Sequence, residues 1–256
     1  MILLKTPDEI EAIGRAGAII GRLFETLAPR VQPGVSTAAL DELGEEFIRS
    51  HEGAVPAFKG LYGFPASLCI SLNEEVVHGI PRPDRVLRSG DLVTLDAGVK
   101  LAGWFADAAV TLPVGDVAPE LRRLLEVTQR ALDAGIEKAL PDNRVGDVGA
   151  AIQAVVEEAG FSVVRDLVGH GVGRGPHEEP QVPNYGRAGR GVRLREGLVL
   201  AIEPMVNAGG AAVHTLADRW TVVTSDGRAS AHFEHTVAVT GSGPRILTGA
   251  EVVVRP

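Results

Sequence analysis

Two distant stretches of the chain share one pattern: Leu87–Asp96 reads LRSGDLVTLD and Leu194–Glu203 reads LREGLVLAIE. Each carries Leu-Arg-x-Gly and then, six residues past the glycine, a carboxylate closing an apolar run. Such a repeat limits the possible folds more than any single element does, because it implies two similar halves related by a pseudo-twofold axis. No Pro-, Gly- or Ser-rich linker separates the halves, so one domain over 1–256 with a shared sheet is expected, its halves at about 1–113 and 114–256.

The order helix, helix, strands occurs in both halves. Thr6 can cap a first helix, with Pro7 in its first turn and Glu9 three residues after the cap. Ile10, Ile13, Gly17, Ile20, Phe24 and Leu27 then recur at steps of three and four. Ser36 caps a second helix with Leu40, Leu43 and Phe47 on one face and Gly53 beyond its end. Leu92–Val99 and Trp104–Leu112 read as strands joined by a Gly-containing turn. Leu121–Leu140 and Val148–Ala159 have helical spacing, and VVRDLVGH, GLVLAIEPM, RWTVVTSDG and FEHTVAVTG read as strands.

Composition narrows the function. Lys and Arg total 25 against 33 Asp and Glu, a net charge of −8, with no dense basic run, which argues against a nucleic-acid groove. The single cysteine, Cys69, excludes an internal disulfide and a Cys-rich zinc module. MILLKTPDEI has neither a signal-peptide nor a membrane-span pattern, so a soluble cytoplasmic protein is expected, without membrane partners.

Against that background four carboxylates stand out. Asp96, Asp107, Glu203 and Glu234 each sit among strand-like apolar residues, where desolvation disfavours a charge unless something positive lies beside it. His170 lies in the glycine-rich GHGVGRGPHEEP (Gly169–Pro180). Carboxylates plus an imidazole, with no thiolate, suit one or two divalent ions among Mn, Co, Fe and Zn. Two ions would neutralise four negative charges and activate a shared water, which implies hydrolysis.

DAG, FADAAV, GHGVGRGPHEEP, AIEPMV and FEHTVAV together resemble the five-ligand signature of the methionine aminopeptidases, in the order Asp, Asp, His, Glu, Glu. The resemblance runs over nearly the whole chain, through SLCISLNEEVVHGIP, RSGDLVTLDAG and VTSDGRASAHFEHT. The short N-terminus is similar to the bacterial type I form of this M24 metallopeptidase family, without a zinc-binding extension or the type II insertion. It implies an α+β pita-bread fold with outer helices over a pseudo-twofold antiparallel sheet.

Carried over residue by residue, the resemblance implies that Asp96 holds one metal, that Asp107 and Glu234 bridge two, and that His170 and Glu203 complete the second. It further implies that Glu203 moves the water's proton to the departing amine, that His177 stabilises the developing oxyanion, and that His78 orients the scissile amide. Cys69, Phe64 and Trp220 fall where the family builds its methionine pocket. Leu61 and the Pro176 before His177 depart from the usual aromatics there. A histidine near Gly or Glu-Pro can also serve simply as a turn residue bonded to a backbone carbonyl, the alternative reading of His78 and His177. Glu178 and Glu179 are read as solvated or helix-dipole partners, and His51 and His214 receive no site role. His232, two residues before Glu234, shares its strand face.

The implied activity is removal of initiator methionine from nascent polypeptides and peptides before a small second residue, by a monomer with the ribosome as a candidate partner. A proline-directed X-Pro peptidase of the same fold and a non-catalytic binding protein are the alternatives. The first usually carries an extra N-terminal domain, and the second usually loses ligands.

Overall fold

The computed structural model describes residues 2–249. Its first half runs α1 (Pro7–Leu27), α2 (Thr37–Arg49), β1 (Ala54–Pro56), β2 (Cys69–Leu72), β3 (Glu75–Val77), β4 (Leu92–Leu101) and β5 (Trp104–Pro113). The second begins with α3 (Pro119–Ile136) and α4 (Val145–Glu158), then β6 (Ser162–Val163), β7 (Gly169–Gly171), β8 (Glu178–Val182) and β9 (Val199–Ile202). It ends with β10 (Met205–Asn207), β11 (Val213–Thr215), β12 (Val222–Thr224), β13 (Ser230–His232), β14 (Glu234–Thr240) and β15 (Gly243–Ile246).

The local signals act as their chemistry requires. Thr6 and Glu9 cap α1 reciprocally: the Glu9 N–H donates to Thr6 Oγ1 at 3.3 Å and the Thr6 N–H to Glu9 Oε2 at 2.9 Å. The periodic stripe from Ile10 to Leu27 is buried throughout. Ser36 Oγ caps α2 through the Ala39 N–H at 3.2 Å. Between β4 and β5, Ala102 (φ 50°) and Gly103 (φ 82°) form a two-residue turn that sets the Leu101–Trp104 register. Positive φ at both positions matches the strand twist of such hairpins.

Both pairs of helices start close to expectation. α3 stops at Ile136 rather than Leu140, and the Asn143 side chain donates to the Lys138 carbonyl beyond it. The strands differ more. VVRDLVGH supplies only the end of β6 and the start of β7: Val164 still donates to the Met205 carbonyl, but residues 165–168 leave the ladder, and Leu167 and Val168 turn toward a cavity. GLVLAIEPM splits into β9 and β10 at Glu203–Pro204, where proline offers no N–H to a ladder. RWTVVTSDG is strand only over Val222–Thr224, and FEHTVAVTG begins pairing at Glu234.

The main sheet has nine strands in the order β1-β4-β5-β14-β9-β7-β8, with β2 on β4 and β15 on β14, all antiparallel. Its middle reads β4-β5-β14-β9, so the repeated segments occupy equivalent strands on either side of a β5–β14 seam. That seam pairs Glu234 with Ala109 and His235 with Ala108. The fold is the α+β pita-bread arrangement. Alternation along β4 sends Leu95 and Ala97 into a core shared with Ile13 and Ile20 of α1, while Asp96 faces the other way into a cavity. One apolar cluster joins residues of both halves, including Leu124 and Leu132 of α3 and Ile152 of α4. Among the described residues no helix is long and apolar enough to cross a membrane.

Candidate metal centre and its pocket

Asp96 and Asp107 come from the β4–β5 hairpin, Glu203 from the end of β9, Glu234 from the start of β14 and His170 from β7. All five line one cavity of about 300 Å³, together with His78, His177, Cys69, Phe64 and Trp220. Donor atoms of Asp96, Asp107 and Glu234 lie within 4.8 Å of one another, as do those of His170, Glu203 and Glu234. His170 Nε2 is 3.4 Å from Glu203 Oε1. Glu234 belongs to both groups, and donor atoms of Asp107, His170 and His177 form a third, so the cluster has overlapping coordination corners.

Strand geometry explains the convergence. His170 sits on β7, which is squeezed between β9 and β8. A Cβ at Gly169 would sit 2.3 Å from the Ala201 carbonyl oxygen, and one at Gly171 would sit 2.4 Å from that of Glu179. The glycines of the GHG motif therefore serve close backbone approach. His170 Nδ1 is 3.0 Å from the Gly171 carbonyl, so donation of its N–H there leaves Nε2 as the free donor atom.

The electrostatics favour a cation. Burial first, then the charge of Asp107, pushes the Asp96 carboxyl well above the usual range. Burial also raises Asp107, against the Ala108 N–H that lowers it. Glu203 and Glu234 are raised by burial and then by the neighbouring acids. Asp96 Oδ1, Asp107 Oδ1 and Glu234 Oε1 are buried without a hydrogen-bond partner. Unpartnered buried oxygens cost several kcal/mol in such surroundings, and divalent ions would reverse that penalty. Burial and then His177 lower His170 to about 4, so it stands neutral and ready to ligate.

His177, on the turn before β8, meets His170 edge to face with ring centroids 4.5 Å apart. Its turn is held by a pair that local pattern does not show: Lys5 Nζ lies 2.7 Å from Glu178 Oε2, the two side chains being 4% and 12% exposed. Glu178 also accepts from the Gly175 N–H at 3.1 Å, so it is an anchored residue rather than a solvated one. His78 faces the cavity from a left-handed backbone (φ 59°), a conformation non-glycine residues adopt only when their surroundings impose it. His51 bonds the Phe47 carbonyl at the end of α2, and His214 is exposed, both away from this cavity.

Phe64, buried, meets Trp220 edge to face at 5.1 Å, and Cys69 completes the apolar wall with Phe58. Leu61 lines the same wall, while Tyr62 stacks nearly parallel to His177 at 6.2 Å. Tyr62, Leu167, Val168 and Met205 are lining residues that motif reading passed over, since only tertiary proximity selects them. So did Thr111, Thr236 and Asn184. The Thr111 hydroxyl donates to the His232 carbonyl at 2.7 Å, and Asn184 Nδ2 donates to the Glu203 carbonyl at 2.9 Å. The signal for the threonines was strand alternation: Thr111 shares a face with Asp107, and Thr236 with Glu234.

The profile of metallopeptidase family M24 matches residues 11–241. A methionine aminopeptidase of Clostridium perfringens is 54% identical over 97% of this chain and 99% of its own. The chain belongs to the methionine aminopeptidases of family M24. The crystal structure of methionine aminopeptidase from Thermotoga maritima superposes on this M24 chain with a TM-score of 0.95 at 45% identity, covering 97% of this chain and 99% of that one. An Xaa-Pro dipeptidase from Bacillus anthracis shares the fold alone, with a TM-score of 0.79 at 22% identity over 97% of this chain and 62% of its own. Membership of a metallopeptidase family implies use of a divalent metal, in accord with the donor set of this cavity.

Proposed function

We propose that this chain removes N-terminal methionine from peptides and nascent polypeptides by metal-dependent hydrolysis, preferring a small second residue. One observation carries the reading: five oxygen and nitrogen donors open directly onto an apolar slot walled by Phe64, Cys69 and Trp220. A thioether is polarisable and packs well against aromatic and sulfur-bearing walls. Asp96, Asp107, His170, Glu203 and Glu234 would hold two divalent ions among Mn, Co, Fe and Zn. Ions held there would polarise the scissile carbonyl and acidify a water.

The remaining steps belong to side chains. Glu203 takes a proton from the attacking water and delivers it to the departing nitrogen. His177 donates to the carbonyl oxygen as negative charge develops on it. His78 faces the scissile nitrogen and holds the amide in line. The reading takes the chain as one catalytic domain, acting as a cytoplasmic monomer on chains emerging from the ribosome.

The test is release of free methionine from Met-Ala-Ser by metal-stripped protein titrated separately with Mn, Fe, Co and Zn, beside a Glu203→Ala variant. Activity that appears with metal and vanishes in the variant supports the reading. Release from X-Pro dipeptides without release from Met-Ala-Ser would replace it with a proline-directed peptidase.

A further inference from the structure

His232 is the least satisfied side chain in the cavity. It is 2% exposed, and neither ring nitrogen has a hydrogen-bond partner. Its backbone is fixed: the His232 N–H donates to Thr111 Oγ1 at 2.9 Å, the Thr111 hydroxyl donates back to its carbonyl at 2.7 Å, and His232 pairs with Met205 across β10 and β13. The ring is thus held in the cavity wall, with Nε2 3.9 Å from Glu203 Oε2. Its donor atoms are not among the three groups that approach within metal-binding distance of one another.

An imidazole offers one N–H and one lone pair. The Glu203 carboxylate beside Nε2 can use only an N–H, so the ring's lone pair needs a donor. Among the described residues none reaches it. Leaving a buried polar atom unpaired is costly, and the fold retains that cost at the wall of its reaction chamber. A bound peptide carries the missing donor. Its scissile nitrogen falls to His78, and the next N–H along the chain is that of the peptide bond after the second residue.

We propose that His232 binds substrate: its free lone pair accepts the N–H of the peptide bond following the second residue, and so registers the chain beside Glu203. This rests on the aminopeptidase reading. His232 therefore selects peptides of three residues or more by their backbone, whatever their second side chain.

The experiment compares Met-Ala-Ser with its ester analogue, in which glyceric acid replaces serine so that only that N–H becomes an oxygen, in the metal-loaded wild type, His232→Gln and His232→Leu. Wild-type release from Met-Ala-Ser tests the aminopeptidase reading separately. Given that release, kcat/KM should fall about tenfold from amide to ester in the wild type. The discrimination should fall to about one in His232→Leu and be substantially restored in His232→Gln, since an amide side chain again offers an acceptor. Metal affinity by calorimetry should be unchanged in both variants. Equal wild-type rates on amide and ester would overturn the proposal without any variant. So would tenfold discrimination persisting in His232→Leu, or a loss of metal affinity that made His232 a ligand.

Discussion

Thr236 of β14 grips Asp107 of β5 by both backbone groups: its hydroxyl accepts the Asp107 N–H at 2.9 Å and donates to the Asp107 carbonyl at 2.7 Å. The two halves meet at this point, and a side chain continues the ladder where backbone pairing stops after His235–Ala108. Thr236 is wholly buried, so no water can substitute for the hydroxyl.

Thr236→Val keeps the shape and removes both bonds. Two buried backbone groups then lose their partner, and unfolding free energy should drop by about 1–3 kcal/mol in urea titration. Because Asp107 is displaced with its backbone, metal affinity should weaken about ten- to a hundredfold, as for other supporting contacts around metal ligands. A variant as stable as wild type and with unchanged affinity would show that the seam is held otherwise.

Metal should matter more to stability as pH rises. The carboxyls of Asp96, Asp107, Glu203 and Glu234 are held above their ordinary range by burial and mutual repulsion. The unfolded chain loses these protons first, so metal-free stability falls as pH climbs from the ordinary carboxylate range toward the raised values. A cation bound only by the folded state adds about 2.7 kcal/mol per site at a hundredfold excess over Kd. The gain in Tm on adding Mn should therefore be larger at pH 7.5 than at pH 5.5, as read by scanning calorimetry.

Lys5→Met should loosen the turn that carries His177. Burial raises Glu178, but the hydrogen bond from Lys5 and the N–H of Gly175 outweigh it and hold the carboxyl below its usual range. A depressed acid contributes stability above its unfolded pKa and loses it as pH falls through the folded one. Removing Lys5 takes away the carboxylate's ammonium partner and leaves it the Gly175 N–H, at about 1–3 kcal/mol. The difference between wild type and variant should be full at pH 7, shrink below about pH 4 as the carboxyl protonates, and be accompanied by lower kcat.

Trp220→Ala opens the apolar slot by removing the ring that meets Phe64 at 5.1 Å. A pocket contact of this kind contributes about 1–3 kcal/mol of discrimination, so kcat/KM for Met-Ala-Ser should fall roughly ten- to two-hundredfold. Leu-Ala-Ser should lose less, and equal losses on both peptides would place the methionine side chain elsewhere.

Much of this molecule could be read before any coordinates, wherever the signal was local. The cap at Thr6 and Glu9, the buried stripe of α1 and the β4–β5 hairpin follow from contacts a few residues apart. The repeat of Leu87–Asp96 in Leu194–Glu203 anticipated the matched strands β4 and β9, and the carboxylates among apolar neighbours marked the cavity's chemistry. Tertiary structure alone decided what depends on distant partners: the break at Glu203–Pro204, the departure of residues 165–168 from the ladder, and Thr236 on Asp107. It alone paired Lys5 with Glu178 and left both nitrogens of His232 without a hydrogen-bond partner. The physical reason is the same in each case. Propensity and periodicity act through neighbours in the chain, whereas desolvation and hydrogen bonding act through neighbours in space, and only folding sets which residues those are.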